Sequence, residues 1–191
     1  MIKRENLLSL EEYARQRPQF REKVMAHKKR RTVHLGEHVT LQFEDELTIR
    51  YQVQEMLRIE RIFEEEGIRG ELEAYNPLVP DGGNWKATML IEYPDEAERR
   101  AMLAQLKGIE RGVWVQAAGG ERVYAVADED LERENDEKTS SVHFLRFELP
   151  RAMRDALRAG AALAVGVEHP RYSASLQVAP DVRAALAGDL K

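Results

Sequence analysis

The sequence predicts an α+β protein: N-terminal helices and a hairpin with a long buried helix, packed on a mixed or antiparallel sheet from two β-α-β-β repeats. Three observations predict it. Tyr51–Glu66 carries apolar residues at helical spacing. Trp85–Tyr93 and Val142–Leu149 alternate as strands do. The letters after Asn84 then repeat: Ile91-Glu92-Tyr93-Pro94 lies over Phe147-Glu148-Leu149-Pro150 at an offset of 56. Val126-Ala127-Asp128-Glu129 lies over Val178-Ala179-Pro180-Asp181 at an offset of 52. The difference is about one helical turn, so the second helix is expected to be one turn shorter.

Taken in order, Ser9-x-x-Glu12 is a capping box that opens a helix. Pro18 is expected to interrupt it and start a second helix running to about Arg30. Thr32–Leu35 and His38–Phe43 form a strand pair across Gly36-Glu37. Next, Glu44-Asp45-Glu46 reads either as a hairpin turn or with Asp45 as a helix N-cap; the helix is the favoured reading. Asn76–Asn84, with two prolines and a glycine pair, is a loop. The first repeat follows: strand Trp85–Tyr93, a helix from Pro94 to about Lys107 closed by Gly108, and a hairpin of Val113–Ala118 with Arg122–Ala127. The second is strand Val142–Leu149, a helix between Pro150 and Gly160, a hairpin of Ala162–Val167 with Ser173–Val178, and a final helix Asp181–Ala187. Asp128–Glu137 carries seven acids and one arginine; an exposed helix or linker is expected there. Residues 1–84 and 85–191, the latter as units 85–130 and 141–191, are expected to share one compact unit.

Composition narrows the function. The 191 residues are 43% apolar and 33% charged, enough for a core beneath a solvated surface. No apolar run approaches a membrane span, and the N-terminus lacks a secretory signal, so a cytoplasmic location is expected. Cysteine is absent, which removes disulfides, thiolate nucleophiles and iron–sulfur ligation. The net charge of −5 argues against nucleic acid as the main partner. Phosphate-loop, dinucleotide, serine-hydrolase and His-Glu-x-x-His signatures are all missing.

Glu55 is the conspicuous residue. On a helix running to Glu66 it projects between Ile59 and Ile62, and a carboxylate inside an apolar arc needs a partner. One reading gathers Glu55 with His143, His38 or His27, and with Glu60 or Glu92, as ligands for iron, manganese or zinc. His143 supports it by sharing an inward face with Leu145, Phe147 and Leu149. The plainer reading pairs Glu55 with Lys86 or Arg146 to fix packing. A second candidate site places Asn84, Trp85 and Lys86 beside the flexible Asp81-Gly82-Gly83, with Gln52 from the helix, as a clamp for an anionic small molecule. A third feature is the basic stretch Arg15–Arg31, with eight cations against Glu22 alone. It reads as a solvated helix or as a contact for an acidic partner or RNA.

Four segments together resemble a known family: His27–Arg31, Phe43–Phe63, Ala74–Thr88 and Lys138–Leu149. The chain is similar over nearly its whole length to a bacterial family called domain of unknown function 3501. The resemblance brings no catalytic residues with it. It implies neighbours of the rubrerythrin-like di-iron and iron–sulfur kind, and so an accessory role in redox or oxidative-stress metabolism. Edge strands of so small a sheet also offer a surface for a homodimer.

Overall fold

The computed structural model describes residues 1–191. Ser9 caps α1 (Leu10–Lys29), its hydroxyl accepting from the Glu12 amide while Glu12 reaches back to the Ser9 amide. Contrary to expectation, Pro18 does not break this helix. Both Pro18 and Ala14, whose carbonyl loses its donor, are exposed, so that carbonyl stands open to solvent.

β1 (Thr32–Leu35) and β2 (Val39–Glu44) form the expected hairpin. Gly36 sits in its turn at φ +71°, and a Cβ there would lie 2.5 Å from the Tyr172 hydroxyl. Asp45 then caps α2 (Glu46–Glu60) by accepting from the Thr48 amide. The helix stops five residues before Glu65, because Arg61 takes the left-handed conformation at φ 56°. Ile62 and Phe63 therefore leave the arc expected of them, and α3 (Glu65–Tyr75) begins separately. A short 3₁₀ turn, Asn76–Leu78, leads to β3 (Asn84–Ile91).

The tandem repeat is present. Its first unit is β3, α4 (Glu96–Gln105), β4 (Val113–Ala117) and β5 (Arg122–Tyr124). After the two-residue β6 (Val126–Ala127) comes the second: β7 (Val142–Glu148), α5 (Arg151–Arg158), β8 (Leu163–His169) and β9 (Tyr172–Gln177). Helix α6 (Pro180–Ala187) ends the chain. The four-residue difference in spacing is divided. Helix α4 has 10 residues and α5 has 8, and the 3₁₀ turn Ile109–Gly112 before β4 takes up the rest.

Two sheets form rather than one, and every pairing is antiparallel. Their orders are β1-β2-β3-β7-β6 and β5-β4-β8-β9. Each repeat thus gives its first strand to one sheet and its hairpin to the other. Thr88 faces Phe144 across β3–β7, and Trp114 faces Gly166 across β4–β8. These pairs are 56 and 52 residues apart, the two sequence offsets. A pseudo-twofold axis through both pairs relates the units.

The sheets close on each other at both edges. Ala125 joins β5 to β6, so one bent strand serves both sheets, and its amide donates to the Val113 carbonyl. On the other edge the Tyr172 hydroxyl donates to the Leu35 carbonyl and accepts from the His38 amide. The enclosed core holds 27 buried apolar residues, with Leu103, Leu157, Val182 and Leu186 supplied by α4, α5 and α6. A second core of seven, including Ile2, Ile49, Val53, Leu57 and Ile68, lies among the N-terminal helices. The fold is therefore a flattened β-barrel with a separately cored helical layer against one outer face.

Candidate functional site: an interlayer groove

The outer face of the first sheet follows from strand alternation. β3 turns Lys86, Thr88 and Leu90 outward and Trp85, Ala87 and Met89 into the core. From β7 come Val142, Phe144 and Arg146, and from β2 Thr40, Gln42 and Glu44. Facing them are Ile49, Gln52 and Met56 of α2, Glu71, Ala74 and Tyr75 of α3, and Leu78. The two layers do not close completely. Two chambers of about 450 and 330 Å³ remain, joined where Tyr75, Leu78 and Phe144 line both. Such volumes suit a small organic molecule. Along β3, Lys86 to Leu90 spans roughly 13 Å at strand rise.

The groove wall is held in place. Asn76 accepts from the Ile2 amide at 2.7 Å and donates to its carbonyl at 2.9 Å, which ties the N-terminus to the turn bearing Leu78. Glu44 accepts from Thr88 at 2.7 Å and from Thr48, linking β2, β3 and α2. Gln54 of α2 is buried, and its Oε1 accepts from the Leu8 amide at 2.6 Å.

Charge in the larger chamber is unevenly compensated. Arg146 is gripped by Glu129 at 2.8 Å through two nitrogens and by Glu148 at 2.7 Å. Arg133 is tied to Asp130 and Asp128. Lys86, cross-strand neighbour of both Arg146 and Glu44, makes no hydrogen bond or ion pair. Burial lowers its ammonium below the usual lysine range, and the Arg146 guanidinium lowers it further. Across the chamber, burial and the nearby Glu60 raise the Glu71 carboxyl.

The expected site residues separate. Lys86 and Gln52 line the groove. Trp85 does not: it is 1% exposed, on the opposite face of its strand, and its indole donates to the Leu186 carbonyl at 3.0 Å. Asn84 is likewise buried, accepting from the Asp81 amide. Sequence reasoning missed Met56, Glu71, Tyr75, Leu78 and Phe144. One signal was there: β7 carries Val142 and Phe144 on its outer face as well as Leu145 and Phe147 on its inner one, so part of the outer face had to be covered too.

The four residues expected to gather around a metal lie in four different places. Glu55 sits between α1 and α2, receiving the Tyr13 hydroxyl at 2.7 Å, Arg17 at 2.7 and 2.9 Å, and Arg58 at 3.2 Å. Its partner is neither Lys86 nor Arg146, because α2 turns Glu55 toward α1 rather than the sheet. His27 pairs with Asp45. His38 stacks on Tyr93, ring centres 3.9 Å apart, and faces the Glu92 carbonyl. His143, wholly buried, bridges Asp128 at 2.6 Å and Thr139 at 3.0 Å. Glu60 and Glu92 are exposed, and no three acids or histidines lie close enough to hold an ion.

The basic stretch is also divided. Arg17 is spent on Glu55 and Arg15 on Glu11, while Arg31 is buried against Asp189 and the carbonyls of Phe43 and Glu44. The acidic stretch Asp128–Glu137 forms no helix; Arg133 and a bridge between Glu134 and Thr139 fold it back onto the barrel. No helix is long and apolar enough to cross a membrane.

Fold and groove together define a pseudo-symmetric α+β barrel with an interlayer cavity. The chain belongs to the family described as Protein of unknown function (DUF3501), whose model matches residues 1–190. It is similar to a crystal structure of a novel protein of unknown function from Burkholderia pseudomallei, at 57% identity and TM-score 0.95, covering 100% of this chain and 99% of that one. A search of curated proteins found no match.

Proposed function

We propose that this protein is a binding protein for a small organic anion, held in the groove between the helical layer and the outer face of the first sheet. One observation carries the reading: Lys86 makes no hydrogen bond or direct ion pair in a chamber where Phe144, Met56, Tyr75 and Leu78 line the wall, while the acid whose charge acts on it most, Glu129, is bound to Arg146. Apolar side chains give affinity to a ligand's body, and one cation with no direct partner orients an anionic end. The family resemblance supplies a setting, an accessory role in cytoplasmic redox or oxidative-stress metabolism beside a rubrerythrin-like or iron–sulfur partner. Iron, manganese or zinc at Glu55, His143, His38 and His27 has less support, since each of these side chains is occupied elsewhere.

The test is titration with 1-anilinonaphthalene-8-sulfonate, an apolar anion that fluoresces when shielded from water. The groove predicts one saturable site per chain, weakened by Phe144→Ala and abolished by Leu78→Asp, which puts a charge on the wall common to both chambers. Binding that both variants leave unchanged would sink the reading.

A further inference from the structure

Lys86 is more than a free cation. Its β-strand holds the backbone rigidly at the centre of a five-stranded sheet, hydrogen-bonded to β2 on one side and β7 on the other. The charged groups around it are accounted for. Glu44 is spent on Thr48 and Thr88, and Arg146 holds Glu129 and Glu148. Asp81 accepts from the Gly83 amide. What faces the amine is the chamber itself, with Phe144 and Met56 nearby and Glu71 on the helical wall. Desolvation in an apolar pocket and an adjacent second cation are the two arrangements that turn a lysine amine into a nucleophile. Lys86 has both, and burial with the Arg146 charge favours its neutral form.

We propose that Lys86 captures a carbonyl compound, an aldehyde or ketone with an apolar body, as a Schiff base within the groove. The inference rests on the groove being a ligand site. In the reaction, the neutral amine's lone pair bonds to the carbonyl carbon. The carbonyl π pair moves to oxygen, which takes up a proton while nitrogen gives one up. The resulting carbinolamine loses its hydroxyl as water, protonated by an acid of the chamber. Glu71 fits that task, because burial and Glu60 keep its carboxyl protonated to higher pH than usual. The nitrogen lone pair then forms the C=N bond. One water is released, and nothing is oxidised or reduced.

The experiment treats the full chain at neutral pH with hexanal and sodium cyanoborohydride, which fixes imines as secondary amines. Peptide mass spectrometry then reads each lysine over time. Lys86 is expected to be modified ahead of the exposed Lys3, Lys23 and Lys29, and Lys86→Arg to lose that fast phase. Glu71→Gln is expected to slow modification of Lys86 without moving the other lysines. If Lys86 reacts no faster than those surface lysines while the probe still binds, the amine is not a nucleophile and the groove reading survives. If the probe also fails to bind, both fall.

Discussion

His143 places Nδ1 2.6 Å from the Asp128 carboxylate, and its Nε2 faces Thr139 and the Ser140 carbonyl, each at 3.0 Å. One wholly buried ring thus joins the two ends of the acidic excursion between β6 and β7. Asp128 itself adopts φ 52° and exchanges hydrogen bonds with the Phe144 backbone. Removing the ring leaves Asp128 Oδ2 and the Thr139 hydroxyl without their partner, while Asp128 Oδ1 keeps the Phe144 amide and Arg133. His143→Ala is expected to cost about 3 kcal/mol, a fall in Tm of roughly 6–12 °C. Hydrogen exchange should quicken first over residues 128–141. Uniform quickening across the barrel would count against a local clasp.

Glu55 supplies the pH dependence. Bonding to Arg17, helped by Tyr13 and Arg58 and opposed by burial, holds its carboxyl down to about 2, against 4.5 for an ordinary glutamate. A depressed carboxylate stabilises the fold above its unfolded value, and that contribution is lost as pH falls from 4.5 toward 2. Glu55→Gln is therefore expected to cost about 1–2 kcal/mol near neutrality, after allowance for screening. Urea unfolding of both proteins across this range should show the gap narrowing with acid. A gap that stays constant would mean the ion pair contributes nothing.

Much of the fold was legible because periodicity reports burial. The alternation of Trp85–Ile91 and Val142–Glu148, the capping box at Ser9, the N-cap at Asp45 and the repeat offsets all survive into the structure. What misled was local chemistry overridden by packing. Arg61 ends α2 in a conformation that glycine usually marks, and no glycine is there. Pro18 keeps its helix because its missing bond faces water. The candidate site was half legible. Gln52 and Lys86 reach the groove, but Trp85, grouped with them as a clamp, turns into the core, as its alternation with Lys86 already implied. Nothing local could indicate that Glu55 meets Arg17, since that contact depends on how α1 crosses α2.

Arg31 makes the tail of the chain structural. Its buried guanidinium joins the carbonyls of Phe43 and Glu44 to Asp189, just beyond α6, and the Lys191 amide donates to the Gly82 carbonyl. Asp189→Ala leaves the buried cation with only Asp45, 3.6 Å away, as counter-charge, and a loss of about 3 kcal/mol is expected. Arg31→Met combined with Asp189→Leu should recover much of it, because both charges go together. Equal losses in the single and double variants, read from denaturant midpoints, would refute the pairing.

Gly166 and Trp114 test the pseudo-symmetry where it is least symmetric. They are equivalent positions facing one another, yet one has no side chain and the other the largest. The indole lies across the glycine: a Cβ on residue 166 would come within 2.3 Å of it, with Ser175 at 3.0 Å on the far side. Arg122 covers the indole at 4.0 Å, so it cannot swing outward freely. Gly166→Ala is thus expected to cost about 2–3 kcal/mol by overpacking. Trp114→Leu alone loses aromatic burial, but in the Gly166→Ala background it removes the clash. The two losses should then sum to more than the double variant shows, by about 1 kcal/mol or more. Strict additivity would mean that the glycine is needed for its backbone rather than for the space the indole occupies.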